Sequence, residues 1–332
     1  MTDLILHIGL GKCGSTTLQR SVFQDEHGYL GRTPGMPPED NFADGLLEAG
    51  PFRGRQTTNH HALARWVDLV KEAQAERWPE AERLILSHET LSAASRMDDR
   101  PVLKILSTLK EELWPEGQIK VVLILRNQAA RLASSYAQSS ATMWHPGQAD
   151  FERYLERHLS SRRHVRLLDY QAWLDGLGEI LGADNVCTLL LEDSQTPEFW
   201  QSLSDFCQLE NFQPESMLDR RSSTHNVRSR GAKSWTLQPL DIDSMARNNV
   251  EKWFNLFWPS GHFRQTRKSL MSRVTRMAKK ACETKLSRHD TQRRETEIHL
   301  SHSAMQAVRT RCGAANEKLA LQLGRDLSSL NY

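Results

Sequence analysis

The chain alternates short apolar segments with longer stretches of helical periodicity, and this alternation constrains its fold more than any other feature. The apolar segments lie at residues 4–8, 84–86, 119–125 and 186–191. Apolar runs of this length predict strands that are buried on both faces, as in a parallel sheet covered by helices. We therefore predict a three-layer α/β protein with a central parallel sheet, whose ligands bind at the carboxyl ends of the strands.

Helices are predicted between and after these strands. Apolar residues recur at helical spacing in residues 16–23, 63–75, 102–113, 129–138, 151–159, 170–181, 198–208 and 304–323. Glycine and proline are frequent in residues 28–54, which predicts a long surface loop there rather than a second strand. After about residue 228 the pattern is mostly helical. We expect an α/β core at residues 1–235 and a helical, basic segment at residues 236–332 that packs on it.

Composition indicates the cellular setting. The net charge is +2 with neutral histidines, and the mean hydropathy is -0.58. No apolar run approaches the roughly 18 residues that a transmembrane helix needs. Asp3 stands where a signal peptide carries basic residues, and the five cysteines are widely spaced, without a disulfide or zinc pattern. These features predict a cytoplasmic protein with reduced cysteines and no transmembrane segment; they predict nothing about its oligomeric state.

Residues 262–294 carry eleven lysines and arginines but only two acidic residues. Leu270, Met271, Val274 and Met277 recur among them at helical spacing, which predicts a helix with one packed apolar stripe. Its charged face is either an ordinary solvated surface or an anion-binding arm, for example for peripheral membrane contact. No nucleic-acid partner is predicted, because no helix-turn-helix, RNA-recognition or zinc-finger pattern accompanies the basic residues.

A glycine-rich loop follows the first predicted strand and leads into a helix. Its sequence is Gly9-Leu10-Gly11-Lys12-Cys13-Gly14-Ser15-Thr16-Thr17. The backbone N–H groups of such a loop, together with the positive end of the helix dipole, cradle a phosphate. The glycine spacing is that of a dinucleotide-binding loop, but no second strand ending in an acidic residue follows. The loop also departs from that of nucleoside triphosphatases, because its lysine precedes the last glycine.

Arg126 directly follows the third predicted strand. A nucleotide hydrolase needs an acidic residue after such a strand to hold magnesium, whereas an arginine there binds an anion. Arg131, Ser134 and Tyr136 complete the pattern R-x-x-x-x-R-x-x-S-x-Y, although helix packing explains Arg131 and Tyr136 equally well. The sequence therefore predicts a second anion site at the same edge of the sheet.

These two loops resemble those of sulfotransferases that use 3′-phosphoadenosine 5′-phosphosulfate (PAPS), particularly the bacterial and carbohydrate types. The usual Pro-Lys-Thr-Gly-Thr-Thr is altered at Gly11 and Cys13, and Gln128 replaces a proline that usually follows the arginine by two residues. The resemblance implies a P-loop-kinase-like topology and a sulfuryl transfer that requires no metal. It also implies that the 3′-phosphate is bound by Arg126 and Ser134, and the 5′-phosphosulfate by Gly11, Lys12, Cys13, Gly14, Ser15, Thr16 and Thr17.

The resemblance also suggests which residues carry the chemistry. Lys12 is expected to stabilise the negative charge that develops on the departing 3′,5′-bisphosphate. The acceptor hydroxyl must lose a proton, so a base is needed near the sulfur. Glu89 is the preferred base, because Ser87-His88-Glu89 resembles a Ser-x-Glu sequence of bacterial sulfotransferases. His88 is the alternative, because the unperturbed pKa of histidine suits neutral pH.

A basic loop further along the chain lies where the family has a segment that covers the cofactor. One of Arg228, Arg230 and Lys233 is expected to contact the 3′-phosphate or to close over the nucleotide, and we include Arg228 in the predicted site. An ordinary exposed loop is the alternative interpretation.

The acceptor is expected to be a hydroxyl of a carbohydrate or glycoconjugate. This follows from the resemblance and from tryptophans that either stack on sugar rings or belong to the core, namely Trp66, Trp144, Trp253 and Trp258. Two other functions remain open. One is a kinase-like phosphoryl transferase, and the other is a non-catalytic nucleotide-binding module that uses the basic segment to hold an acidic partner.

Overall fold

A computed structural model describes residues 2–24, 26, 28–31, 42–49, 59–93, 100–221, 234–257, 264–286 and 295–332. Contacts divide the chain into two compact units. The first unit consists of Met1–Arg131, Arg162–Arg230 and Arg309–Tyr332, and the second of Leu132–Ser161 and Gly231–Val308. Each unit is thus assembled from several segments, whereas the sequence predicted one boundary after residue 235. We describe each unit by itself.

A four-stranded parallel sheet forms the centre of the first unit. Its strands are β1 (Asp3–His7), β2 (Arg83–Ser87), β3 (Ile119–Leu125) and β4 (Val186–Leu190), in the order β2-β1-β3-β4. The first three strands are buried along almost their whole length, which is why their central residues, at 4–6, 84–86 and 121–125, are all apolar. The prediction of four strands in a parallel sheet is confirmed, with small shifts at the strand ends.

The eight predicted helical stretches are helical, with small shifts at their ends. In chain order the helices are α1 (Ser15–Thr17), α2 (Phe42–Ala49), α3 (His60–Arg77), α4 (Pro101–Thr108), α5 (Gln128–Ser139), α6 (Gln148–Ser160), α7 (Arg162–Arg166), α8 (Tyr170–Leu181), α9 (Pro197–Cys207), α10 (Pro214–Arg221), α11 (Ile242–Phe257), α12 (Arg264–Leu286) and α13 (His302–Leu323). Helices α2, α7 and α10 were not predicted. Helix α1 continues as a π-helical turn, Leu18–Val22, and α4 continues in the same way as Leu109–Leu113. Apolar faces of the helices of the first unit, including Leu63, Ile105 and Trp173, complete the core around its sheet.

The prediction of a surface loop at residues 28–54 is wrong where the structure describes it. Tyr29 forms a parallel bridge with Ile85 of β2, in which the Leu30 N–H donates to the Ile85 carbonyl at 2.7 Å. Helix α2 lies in the same region, and its Leu46 is buried. The many glycines and prolines concealed these short elements, because turn residues dominate a composition-based prediction.

The second unit contains α6, α11, α12 and a two-stranded antiparallel sheet of β5 (Ser234–Thr236) and β6 (Glu297–His299). The sequence predicted neither strand, because segments this short carry too little periodicity. The basic helix is present as α12, and its predicted apolar stripe is packed only in part. Met271 and Val274 are half-buried, whereas Leu270 is 38% exposed and Met277 is 73% exposed. No helix in the described parts of the chain is long and apolar enough to cross a membrane.

Candidate functional site

The carboxyl ends of the four parallel strands meet at one edge of the sheet. The glycine-rich loop leaves β1 there, Glu89 follows β2, Arg126 follows β3 and Glu192 follows β4. The strand register pairs His7 with Ser87 and Leu125 with Leu190, so these connections begin at similar heights. The sheet thereby gathers most of the predicted site residues at the edge where ligands of α/β proteins bind.

The glycine-rich loop turns sharply between β1 and α1. Gly14 has a φ of 89°, and a Cβ atom there would lie 2.9 Å from Leu191 Cδ1, so the position requires glycine. Lys12 has a φ of 70°, a left-handed conformation that is unusual for a residue with a side chain. At Gly11, by contrast, a Cβ atom would meet no described atom within 4 Å beyond the adjacent residues. A ligand can therefore approach the backbone closely at Gly11.

Two arginines hold this loop from the side of β3 and α5. Arg126 Nη1 donates to the Lys12 carbonyl at 3.2 Å, and Arg131 Nε donates to the Gly11 carbonyl at 3.2 Å. Arg131 Nη1 also donates to the Leu167 carbonyl at 3.0 Å. The two guanidinium groups thus lie beside the lysine-bearing loop, and this concentration of positive charge favours an anionic ligand.

The two candidate bases differ in what they contact. The buried Ser15 hydroxyl donates a hydrogen bond to Glu89 Oε2, which links Glu89 directly to the start of α1. His88 Nδ1 instead accepts the Thr90 N–H at 3.2 Å and lies 2.6 Å from Thr90 Oγ1, as the cap of a short helical turn. The structure therefore brings Glu89 to the glycine-rich loop, whereas Nδ1 of His88 is used in a local cap.

The loop positions predicted to bind the 5′-phosphosulfate are not equivalent. The Cys13 N–H donates to the Leu10 carbonyl at 3.2 Å, so this N–H serves the loop itself. Burial raises the pKa of the Cys13 thiol to about 11, which the nearby Arg131 and Arg126 charges only partly oppose. Thr16 is exposed and Thr17 is half-buried. Lys12, Thr16 and Thr17 are therefore the predicted phosphosulfate-binding residues of this loop whose polar side chains are not buried.

The remaining predicted residues are not part of this arrangement in the first unit. Ser134 is half-buried on α5 within the second unit. Tyr136 is buried there, and its hydroxyl accepts the Gly147 N–H at 3.0 Å and lies 3.0 Å from Asp150 Oδ2, so Tyr136 packs the second unit. Arg228, Arg230 and Lys233 lie outside the described residues.

Sequence reasoning missed Glu192 and Tyr170. The Glu192 carboxylate accepts the Asn127 N–H at 2.8 Å, and burial raises its pKa although this bond and Arg126 oppose the shift. The Tyr170 hydroxyl donates to the Arg126 carbonyl at 2.7 Å. The available signal for Glu192 was an acidic residue directly after a predicted strand.

His7, by contrast, is a structural residue. It is fully buried in β1, and its Nδ1 lies 2.7 Å from Ser87 Oγ. Burial lowers the pKa of His7 to about 3, so the imidazole is neutral in the folded protein. Across the described parts of the chain, no three His, Cys, Asp or Glu side chains are grouped so that they could hold a metal ion.

Comparison with known proteins identifies the family of the chain. The family model described as Sulfotransferase domain matches residues 2–290. A search of curated proteins found no match. The matched range includes all four strands of the parallel sheet and both arginines that hold the glycine-rich loop. The chain therefore belongs to the sulfotransferase domain family and has its α/β fold.

Proposed function

We propose that this sulfotransferase transfers the sulfuryl group of PAPS to a hydroxyl of a carbohydrate or glycoconjugate. The observation that carries the proposal is the approach of Arg126 and Arg131 to the carbonyls of Lys12 and Gly11. This contact brings the two predicted anion sites together. PAPS carries phosphate groups at both its 3′ and 5′ positions, so a protein that binds it needs two such sites close to each other. A guanidinium has five N–H donors, so the bond to the Lys12 carbonyl leaves Arg126 able to bind a phosphate.

In the proposed reaction, the acceptor oxygen forms a bond to sulfur while the bond from sulfur to the 5′-phosphate oxygen breaks. The electron pair of the broken bond stays on the phosphate, and Lys12 stabilises the charge that develops there. The acceptor proton passes to the Glu89 carboxylate. The Ser15 hydroxyl donates to this carboxylate, so Ser15 orients the base. No metal ion is required for these steps.

Arg126 is the proposed ligand of the 3′-phosphate, and the assignment of Ser134 to the same phosphate stays a prediction. Glycines and hydroxyls of the loop, from Gly11 to Thr17, surround the 5′-phosphosulfate in this proposal. The open space at Gly11 supports it, because the backbone there is accessible to a ligand. The assignment of Arg228 as a residue that covers the nucleotide stays a prediction.

The acceptor assignment relies on the family resemblance rather than on the tryptophans. Trp66 is buried, and its Nε1 donates to the Phe42 carbonyl at 2.8 Å, so it belongs to the core and cannot stack on a sugar. Trp144 is half-buried in the second unit. For Trp253 and Trp258 no side-chain placement is described, and their role stays a prediction.

The basic helix α12 and the cellular setting complete the proposal. Arg273, Arg276 and Lys280 are exposed on α12, which supports contact with an anionic surface such as a membrane. Cytoplasmic location, and the assignment of residues 1–235 to PAPS binding, are proposed from the sequence. Sedimentation with vesicles containing phosphatidylserine, compared with neutral vesicles, tests the membrane contact; equal sedimentation with both would contradict it.

Calorimetric titration tests the proposed donor without knowledge of the acceptor. We expect adenosine 3′,5′-bisphosphate to bind in the absence of metal, with an affinity in the micromolar range. Two further titrations serve as comparisons. ATP with magnesium tests for a nucleoside triphosphatase loop, and NAD tests for a dinucleotide-binding loop. Preference for ATP with magnesium would favour a kinase-like phosphoryl transferase, and binding of the bisphosphate without turnover of PAPS on any acceptor would favour a non-catalytic module.

A further inference from the structure

The two residues that follow Arg126 are polar and buried. Asn127 caps α5, and Gln128 is the first residue of the helix and is completely buried. Buried polar groups cost free energy unless they are hydrogen-bonded, so their partners reveal what the turn is built to contact. Both side chains bind residues of the segment 309–332, which lies beyond the end of the family match at residue 290.

Asn127 is held at three atoms. Its Oδ1 accepts the Ala130 N–H at 2.9 Å and caps α5, and its Nδ2 donates to the Asn331 carbonyl. Its backbone N–H donates to Glu192 Oε1 at 2.8 Å. The Tyr332 hydroxyl donates to the other oxygen of Glu192, Oε2, at 3.0 Å. Asn331 and Tyr332 are therefore connected to the turn both directly and through Glu192.

Gln128 stands where the family usually has a proline, which would restrict the turn by itself. A proline at this position restricts φ covalently, whereas Gln128 relies on hydrogen bonds. Its Nε2 donates to Asn316 Oδ1 at 2.7 Å and to the Leu168 carbonyl at 3.3 Å, and Asn316 Nδ2 donates back to Gln128 Oε1 at 3.3 Å. This buried amide pair ties the start of α5 to α13.

These contacts fix the peptide unit that joins Arg126 to Asn127. The carbonyl itself accepts the Tyr170 hydroxyl at 2.7 Å, and the next N–H is bound by Glu192. The Tyr170 and Tyr332 rings pack edge to face with their centroids 6.3 Å apart. The backbone that carries the Arg126 side chain is thus immobilised by residues that are far away in sequence.

We infer that Tyr332 and Asn331, acting through Glu192 and Asn127, are positioning residues that aim Arg126 at the 3′-phosphate of the donor nucleotide. The inference rests on the proposed function. An arginine binds a phosphate tightly only when its N–H groups are already oriented toward it. Ordering a mobile side chain on binding costs free energy and so reduces the affinity. Loss of the Tyr332 contact should therefore weaken the 3′-phosphate interaction specifically.

The test compares two nucleotides that differ only in the 3′-phosphate. Titration calorimetry on Tyr332→Phe should show a dissociation constant for adenosine 3′,5′-bisphosphate raised roughly five- to tenfold. The constant for adenosine 5′-phosphate should stay unchanged. Arg126→Ala removes the guanidinium that is proposed to bind the 3′-phosphate, so it should nearly abolish the preference for the bisphosphate. With PAPS as substrate, KM should rise in Tyr332→Phe while kcat changes little.

Tyr29→Phe is the matched control, because Tyr29 is also buried in the first unit but its hydroxyl has no hydrogen-bond partner among the described residues. It should bind both nucleotides as the unsubstituted protein does. If Tyr332→Phe does not fold, Arg309→Ala replaces it, since Arg309 Nη2 donates to Asn331 Oδ1 at 2.8 Å from a partly exposed position. Arg309→Ala should also weaken binding of adenosine 3′,5′-bisphosphate without changing that of adenosine 5′-phosphate, but by a smaller factor than Tyr332→Phe.

The outcomes separate this inference from the proposed function. If the unsubstituted protein does not prefer the bisphosphate, the proposed function fails, and the positioning role fails with it. If the preference is present and Arg126→Ala removes it, but Tyr332→Phe and Arg309→Ala both retain it in full, only the positioning role is overturned. Equal weakening of both nucleotides in Tyr332→Phe would show a general structural role and would also overturn the inference.

Discussion

Lys12 combines a proposed chemical role with an unfavourable backbone conformation, and two substitutions separate these properties. Its φ of 70° lies in the left-handed region, which costs a residue with a Cβ atom roughly 1–2 kcal/mol. Glycine adopts this conformation without that cost, but it loses about 0.5–1 kcal/mol more chain entropy on folding than alanine does. We therefore expect the free energy of unfolding of Lys12→Gly to exceed that of Lys12→Ala by about 0.5–1 kcal/mol.

Both variants lack the ammonium group, so the comparison also isolates its contribution to turnover. The rate of sulfuryl transfer should fall by at least about a hundredfold in each variant, the scale of losing one preorganised charge stabiliser. Urea unfolding followed by circular dichroism gives the stability difference, and steady-state kinetics with PAPS gives the rates. Unfolding at lower urea for the glycine variant than for the alanine variant would refute the backbone reasoning, and undiminished turnover would remove Lys12 from the mechanism.

Gln208 provides the matched control for the backbone effect. It ends α9 with a φ of 52°, and it lies outside the proposed site. Gln208→Gly should again be more stable than Gln208→Ala by a similar amount, while turnover stays unchanged in both. A stability difference at Lys12 without one at Gln208 would point to a cause other than the backbone conformation.

Three further predictions follow from the surroundings of individual side chains. Glu89→Gln should lower kcat by at least about a hundredfold, and His88→Asn should lower it far less; steady-state kinetics giving the reverse order would make His88 the base. The pKa of His7 is lowered by burial from 6.5 to about 3, so the unfolded chain binds a proton in this window that the folded chain does not. The free energy of unfolding should therefore fall as the pH drops from about 6.5 to 3, and urea titrations of His7→Gln should show a shallower fall. A thiol reagent should modify the half-buried Cys282 of the native protein before Cys13, which is buried and has a pKa raised to about 11. The fast phase of thiol modification should therefore disappear in Cys282→Ser, and its persistence would contradict the prediction.

Much of the fold was predictable because the central residues of the first three strands, at 4–6, 84–86 and 121–125, are all apolar. A strand buried on both faces is apolar at several consecutive positions, and this leaves a local signal in the sequence. The same is true of α3 and α8, whose buried residues recur at helical spacing. The bridge at Tyr29 and the strands β5 and β6 escaped prediction, because elements of one to three residues form only where a partner strand is already in place.

The candidate site was predictable only in part, for a related reason. Glycines, a lysine and an arginine at strand ends are visible in sequence because anion binding requires those residue types at those places. The sequence left open whether Glu89 or His88 faces the loop, and it gave Glu192 and Tyr170 no role. Such choices depend on which side chains from distant segments meet, and spacing along the chain does not report that.

The amino-acid sequence by itself thus determined the parallel α/β sheet, and it placed the glycine-rich loop with Lys12 and the turn with Arg126 at the carboxyl ends of the strands. These features are local, because each needs only a strand and the residues directly after it. The tertiary structure decided that Glu89 contacts Ser15, that Arg126 and Arg131 hold the glycine-rich loop, and that Asn331 and Tyr332 brace the turn after β3. Those contacts join residues that lie far apart in sequence, and buried polar groups find such partners only when the whole chain has packed.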